Sequence, residues 1–418
     1  MKIIRAFIPI MLIAAILVNA VGCAGTAHAV KAIDLMEKIS PGSATGRNAD
    51  RAFTASMADF SIELFKKSMS EDANSLISPL SVMLALAMTA NGAGGETLVQ
   101  METLLGGGIS LDELNEYLYS YATGLPSSDR SKLHIANSIW FRNEGLEVSD
   151  VFLQKNADFY RAAAYSSAFD EQAVTDINNW VKSNTDGMID SILDEVPSID
   201  VMMYLINALA FEAEWQSQYY DHNVRPGVFT NISGGTQNVS FMSSRESLYL
   251  DDGMATGFIK PYVGGYSFAA LLPNENVPID EYIASLTGAG FIDTLSNARH
   301  ISVDTHMPKF EYDYMIKLND VLIALGIPDA FKIGRADFSR IESTPSNALF
   351  ISEVLHKTYI SVDELGTKAG AVTLVAMSSG AAAPHETVMT VRLDRPFVYA
   401  IIDNATNLPV FIGTLLSV

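Results

Sequence analysis

The run from Thr367 to Met377 places the strongest constraint on the fold, because its pattern suits two different states. Read with the two-residue period of a strand, one face is small and then apolar; it carries Thr367, Ala369, Ala371, Thr373, Val375 and Met377. Lys368 is the only charge in the run, and it falls on the other face. The run is therefore compatible with a solvated loop and also with insertion into a sheet that buries no charge.

The segments that flank this run differ sharply from each other. Residues 357–362 are rich in β-branched and aromatic side chains, which is typical of a strand. Residues 378–384 contain one Gly, one Pro and otherwise only small side chains. Long connections of this kind in a compact domain are more often functional than accidental.

An acidic residue, a Gly-Thr pair and a run of small residues in this order resemble the hinge of serpins, the serine protease inhibitor superfamily. The matching hinge residues are Glu364, Gly366, Thr367, Ala369, Gly370, Ala371 and Thr373. The resemblance implies a reactive loop that a protease cleaves and that then inserts into a sheet. Val372 and Leu374 are larger than the inhibitory norm, and slower insertion would favour behaviour as a substrate.

Further motifs resemble the same family along the chain. The matching segments include 74–81, 176–189, 205–215, 307–310, 324–331, 394–397 and 409–413. They follow the family's order over residues 52–418. The resemblance therefore implies the α+β serpin fold, with one large domain, a central mixed β-sheet, surrounding helices and an exposed reactive-centre loop.

Two polar groups of residues have structural roles in this family. The resemblance assigns Ser78, Ser81, Asn207 and His356 to the shutter, a polar cluster beneath the central sheet where it must part. It assigns Trp215, Lys309 and Glu364 to the breach, where the loop first enters. We expect an ion pair between Lys309 and Glu364. For His356 alone, an ordinary satisfied buried polar group is the competing interpretation.

The position of the reactive bond follows from counting along the loop. Counting from Glu364 places it at Gly380–Ala381, whereas counting back from Phe397 gives a position closer to His385. The register therefore stays open between Met377 and His385. Small side chains dominate this window, and no Arg or Lys lies between Lys368 and Arg392. An elastase-like or subtilisin-like target fits this composition, and a trypsin-like target fits poorly.

The amino terminus has the layout of an export signal. Residues 1–29 combine a basic start with an apolar run that is short for a membrane span. Residues 20–23 resemble a bacterial lipobox, which predicts a lipoprotein signal over 1–22 and lipidation of Cys23. Ordinary cleavage after Ala29 is the alternative. Both predict an exported protein, at the cell surface or secreted, with a flexible tether over residues 30–51.

Composition excludes several classes of function. The net charge of -21 opposes binding to nucleic acid and to anionic membranes, so we expect membrane contact only through the N-terminal lipid. The single cysteine excludes an intramolecular disulfide. No nucleophile elbow, phosphate loop or zinc-binding helix motif is present. We expect no enzymatic activity, no cofactor and no metal site.

The function expected from these observations is suicide inhibition of a serine protease through a covalent acyl complex, by a monomer. A non-inhibitory serpin-fold binding protein, cleaved as a substrate, is the alternative. A third interpretation, an extracytoplasmic hydrolase on an unrelated fold, lacks a nucleophile motif.

Overall fold

The computed structural model describes residues 30–343, 349–367 and 388–418, which contain nine α-helices and sixteen β-strands. The helices are α1 (Arg51–Ser68), α2 (Pro79–Ala90), α3 (Gly95–Gly106), α4 (Leu111–Gly124), α5 (Asp150–Tyr160), α6 (Glu171–Asn184), α7 (Ile279–Ser285), α8 (Gly288–Ser296) and α9 (Asn319–Ala324). The strands are β1 (Ile33–Asp34), β2 (Ser75–Ile77), β3 (Ser131–Arg142), β4 (Ala163–Ser167), β5 (Met203–Glu214), β6 (Val224–Thr230), β7 (Thr236–Asp251), β8 (Ala255–Pro261), β9 (Tyr266–Pro273), β10 (Arg299–Pro308), β11 (Phe310–Lys317), β12 (Glu353–Val362), β13 (Gly366–Thr367), β14 (Met389–Arg392), β15 (Phe397–Asp403) and β16 (Pro409–Leu415).

These strands form two sheets. The central sheet has the order β1-β4-β3-β5-β13-β12-β11, and β5 also pairs directly with β12. It is mixed, because β3 pairs with β4 and β5 pairs with β12 in parallel, whereas the other pairs are antiparallel. The second sheet runs β14-β10-β7-β8-β9-β15-β16-β2, with β6 paired to β7. This is the predicted α+β architecture with a central mixed sheet.

Helices α2 and α6 cover opposite faces of the central sheet. Alternate residues of β3 point to opposite faces, and Asn137 meets Ser81 of α2 while Trp140 packs in the cluster that contains Trp180 of α6. All 12 residues of α2 are buried. A helix that is apolar all round belongs in the core of a large domain, and α2 lies beneath β3 and β5.

Helix α1 begins with a side-chain cap and buries an apolar face. The side chain of Asp50 accepts a hydrogen bond from the amide of Phe53 and caps the helix. The five apolar residues that define the helical period are all buried; they are Phe53, Met57, Phe60, Ile62 and Phe65.

The segment for which the sequence predicts a flexible tether is placed against the body of the protein. Ile33 and Asp34 form β1 and pair with β4 at the edge of the central sheet. Further along, Arg47 makes ion pairs to Glu113 and Glu116 on α4. Backbone pairing and these ion pairs fix the segment, and the sequence pattern carried no signal for partners so distant along the chain.

No helix within the described ranges is both long enough and apolar enough to cross a membrane. The described residues also contain no group of three or more His, Cys, Asp or Glu side chains that could hold a metal ion.

Candidate functional site

The four shutter residues meet beneath the pairing of β5 with β12. Ser78 is the residue before α2, and its backbone amide donates a hydrogen bond to Nε2 of His356 at 3.0 Å. Asn207 of β5 accepts from Nδ1 of His356 and donates to Oγ of Ser81 at 2.7 Å. All four side chains are fully buried. The two neighbouring strands β5 and β12 are therefore tied to each other and to the start of α2.

This network determines the protonation state of His356. Because Nε2 accepts from the Ser78 amide, the ring proton resides on Nδ1 and the imidazole is neutral. Burial lowers the pKa of His356 to about 3, and the hydrogen bond to Asn207 offsets only part of that effect. A charged imidazole at this position could no longer accept the hydrogen bond from the Ser78 amide, and its charge would be buried without solvation.

The structure adds Asn137 to the shutter, a residue that sequence reasoning did not single out. Its Oδ1 accepts from Asn207 Nδ2 at 2.5 Å, and its Nδ2 donates to the carbonyl oxygen of Ser81 at 3.3 Å. The available signal was an amide inside a strand that otherwise reads as buried. With Asn137 included, the network spans β3, β5 and β12.

The hinge begins inside the central sheet. Gly366 and Thr367 form β13, which lies antiparallel between β5 and β12 at one end of the sheet. Further down, β5 and β12 pair directly with each other over Tyr204–Leu209 and Glu353–Thr358. A strand that continued from Thr367 would have to separate this direct pairing, and the pair Asn207–His356 lies within it.

Gly366 is required by close approach of backbone. A Cβ at this position would lie 2.0 Å from the carbonyl oxygen of Ala213 on β5. Any side chain would therefore push β13 out of the sheet. The glycine of the hinge pattern has a steric explanation in this fold.

Trp215 holds the turn that precedes β13. Its backbone amide donates to the carbonyl oxygen of Leu365 at 2.8 Å, and its indole Nε1 donates to that of Asp363 at 2.8 Å. The amide of Tyr219 donates to the carbonyl oxygen of Glu364 at 3.0 Å. Three successive hinge carbonyls are thus bound by one short segment, residues 215–219, which we call the anchor segment.

The predicted ion pair between Lys309 and Glu364 is present. Lys309 Nζ lies 2.7 Å from Oε2 and 2.9 Å from Oε1 of Glu364. Burial alone would raise the pKa of Glu364, but the hydrogen bond and charge of Lys309 lower it below its ordinary value. Both side chains are about one-third exposed, so the pair adds modestly to stability.

Tyr262 is a fourth breach residue, which the sequence did not indicate. Its ring stacks on Trp215 at 4.2 Å between centroids, and its hydroxyl bonds to Oγ1 of Thr367. Burial raises the pKa of Tyr262 well above its ordinary value, so the phenol stays protonated. Thr367 itself is 1% exposed, which agrees with its assignment to the inward face.

Several predicted positions lie outside the described residues. These are Ala369, Gly370, Ala371 and Thr373 of the hinge, the reactive-bond window with Gly380 and Ala381, and the lipidation residue Cys23. Their assignments stay predictions from the sequence.

The glycine-rich turn at the start of α3 leaves room for a carboxylate of the chain itself. Cβ atoms built on Gly94 and Gly95 would each lie 2.9 Å from Oδ2 of Asp337. The chain's own carboxylate therefore occupies the space beside this helix start, and only small residues leave room for it.

Comparison with known proteins identifies the arrangement. A family model described as serpin (serine protease inhibitor) matches residues 55–418. The crystal structure of Tengpin, a thermophilic serpin, in the native state superposes with a TM-score of 0.89 at 53% identity, covering 93% of this chain and 100% of that chain.

Two curated relatives extend the likeness. The uncharacterized serpin-like protein TK1782 of Thermococcus kodakarensis is 28% identical over 369 residues, covering 86% of this chain and 84% of the relative. Neuroserpin of Homo sapiens is 28% identical over 380 residues, covering 86% of this chain and 90% of the relative. The family match, the sheet topology and the buried network together establish that this chain belongs to the serpin family.

Proposed function

We propose that this serpin is an exported suicide inhibitor of a serine protease with a small specificity pocket, elastase-like or subtilisin-like. The observation that carries the proposal is the position of β13. Two hinge residues, Gly366 and Thr367, already occupy the space between β5 and β12, and these strands part at the same end of the sheet. A cleaved loop therefore has a defined route along which to continue as a new strand.

The covalent chemistry belongs to the protease. Its serine oxygen attacks the scissile carbonyl, an ester forms to the residue before the bond, and the amine of the following residue leaves with a proton. The loop contributes a peptide that fits the pocket, because residues 377–385 near the bond carry mostly small side chains, apart from Met377, Pro384 and His385. The ester ties the protease to the arm that inserts.

The energy for insertion comes from the sheet. Each inserted residue gains ladder hydrogen bonds of about 1 kcal/mol net, together with burial of the small inward face. Over more than a dozen residues this sum is comparable to the stability of an ordinary domain, about 5–15 kcal/mol. The intact form is then a kinetically trapped state, and cleavage releases the trap.

Incubation with elastase and with subtilisin tests the proposal. A covalent complex that survives detergent on a gel, and a rise in melting temperature after the loop is cut, are the expected results. Plain cleavage without a complex supports the non-inhibitory alternative, which the larger side chains of Val372 and Leu374 favour. Equal melting temperatures for cut and intact protein would overturn the proposal.

Export and anchoring form a separate part of the proposal. The apolar run and the lipobox-like residues 20–23 support cleavage before Cys23 and lipidation of its thiol. Mass analysis of the mature amino terminus distinguishes a lipidated cysteine from simple cleavage after Ala29. We further propose that the protein acts as a monomer, which the molar mass in solution will test.

A further inference from the structure

A buried ammonium lies directly behind the anchor segment. Lys260 of β8 is 1% exposed, and its Nζ lies 2.8 Å from Oε1 of Glu246 on β7. The same nitrogen donates to the carbonyl oxygen of Ser217 at 3.0 Å. Lys260 therefore binds the backbone of the anchor segment at its middle residue.

The ammonium also faces the two aromatic rings of that segment. Nζ lies 4.3 Å from the ring centroid of Tyr219 and 5.3 Å from the ring of Trp215. Both distances are within the range of cation–π attraction, which is strongest for desolvated pairs. Trp215 and Tyr219 are the residues whose N–H groups bind the hinge carbonyls.

The contacts form two successive layers behind the hinge. The carbonyls of Asp363, Glu364 and Leu365 are held by the anchor segment, and the anchor segment is held by Lys260. Glu246 completes the second layer and also accepts a hydrogen bond from Ser244 at 2.5 Å.

Burying the charged ammonium of a lysine at this position costs desolvation free energy. Burial lowers the pKa of Lys260, and the charge of Glu246 opposes that effect only in part. A buried ion pair is often no more stabilising than apolar residues of similar volume. The ordinary interpretation is a satisfied ion pair of the core, but that interpretation gives no reason for the ammonium to contact three residues of one segment.

We propose that Lys260 is a positioning residue for the hinge. Its ammonium keeps the anchor segment in the conformation that binds the carbonyls of Asp363, Glu364 and Leu365. In this way it sets how readily the hinge of the intact protein dissociates from the anchor segment. Any effect of Lys260 on inhibition rests on the proposed function, whereas its effect on the binding of the hinge by the anchor segment does not. Removing the charge should loosen the anchor segment and the hinge together, and leave the remainder of the sheet unchanged.

Amide hydrogen exchange tests the binding of the hinge without any protease. Lys260→Met alone would leave the Glu246 carboxylate buried and unpaired, so the informative variant is Lys260→Met combined with Glu246→Gln. We expect exchange in residues 215–219 and 363–367 to accelerate about tenfold, as the loss of a desolvated cation–π contact implies. Exchange in β3 and β15 should stay as in the parent protein.

Matched variants separate positioning from general destabilisation. Ile177→Val weakens the packing of α6 far from the hinge, so it should lower the melting temperature without selective exchange at the hinge. Tyr219→Leu removes the ring that faces the ammonium, and it should accelerate hinge exchange more than Tyr219→Phe does. Equal exchange for these two variants, or uniform acceleration in the double variant, would overturn the proposal.

Inhibition assays then test whether Lys260 affects inhibitory activity. The double variant should lose inhibitory activity faster than the parent protein when both are stored uncut at elevated temperature. If the parent protein forms no complex with any protease, the proposed function fails, while the exchange data still decide the role of Lys260. Faster exchange at the hinge and anchor segment without faster loss of inhibition would refute only the link between hinge binding and inhibitory activity.

Discussion

His356 on β12 and Asn207 on β5 lie directly opposite each other in the parallel pair, and a hydrogen bond joins Nδ1 of the histidine to Oδ1 of the asparagine. Under the proposed mechanism, this is the strand boundary that the inserting loop has to open. Because a neutral histidine lies at the centre of this boundary, the stability of the pairing between β5 and β12 depends on pH.

We expect acid to weaken the intact fold through His356. Its folded pKa is about 3 and the unfolded value is about 6.5, so this contribution to stability is complete above pH 6.5 and is lost as pH falls toward 3. The slope for one such group is about 1.4 kcal/mol per pH unit. Urea unfolding between pH 7.5 and 4 should show a shallower pH dependence for His356→Gln than for the parent protein. His222→Gln at an exposed position is the control, and parallel curves for all three proteins would disprove this assignment.

Thr367→Arg should abolish inhibition. Thr367 is 1% exposed between β5 and β12, and its hydroxyl bonds to Tyr262, so an arginine would place an unpaired charge inside the sheet. The measurement is the stoichiometry of inhibition, which should rise until the protein behaves only as a substrate. Thr367→Ser keeps the hydroxyl and should retain inhibition. An unchanged stoichiometry for the arginine variant would refute the inward placement.

The Lys309–Glu364 pair should show a small but measurable coupling. Both side chains are partly exposed, so a double-mutant cycle with Lys309→Met and Glu364→Gln should give about 0.5–1 kcal/mol. The pKa of Glu364 is lowered in the folded state, so the coupling is present above its unfolded pKa and lost as acid protonates the carboxylate. Urea unfolding at low and high salt measures it. Strict additivity at low salt would show that the pair contributes nothing.

Gly366→Ala should displace β13 from β5. The new methyl group would overlap the carbonyl oxygen of Ala213, and overpacking of this kind costs about 1–3 kcal/mol. We expect faster amide exchange at Gly366 and Thr367 and a lower melting temperature for the intact protein. Gly124→Ala at the end of α4 is the matched control, because no atom lies within 4 Å of the added carbon. Native-like exchange at β13 in the alanine variant would contradict the close packing.

Local pattern is sufficient to explain how α1 and α2 begin. Asp50 and Ser78 cap α1 and α2 through side-chain oxygens, and capping depends on residues only three positions apart. The motif resemblance placed Asn207, His356 and Trp215 in named regions, but it left out Asn137 and Tyr262. Those two reach their partners across strands, and a single sequence carries no record of which strands become neighbours.

The N-terminal segment illustrates the same limit. A flexible tether was predicted over residues 30–51, yet β1 within it pairs with β4, more than a hundred residues away. Edge pairing uses backbone groups that every residue has, so side-chain composition alone does not reveal it.

By itself the sequence determined the two-faced hinge, the charge that excludes polyanions and the family, because these depend on residue identity and spacing. Only the tertiary structure decided that Lys260 lies behind Trp215 and that Gly366 has no room for a side chain. Both depend on the register and packing of strands from distant parts of the chain, which are settled when the apolar faces of whole elements are buried together.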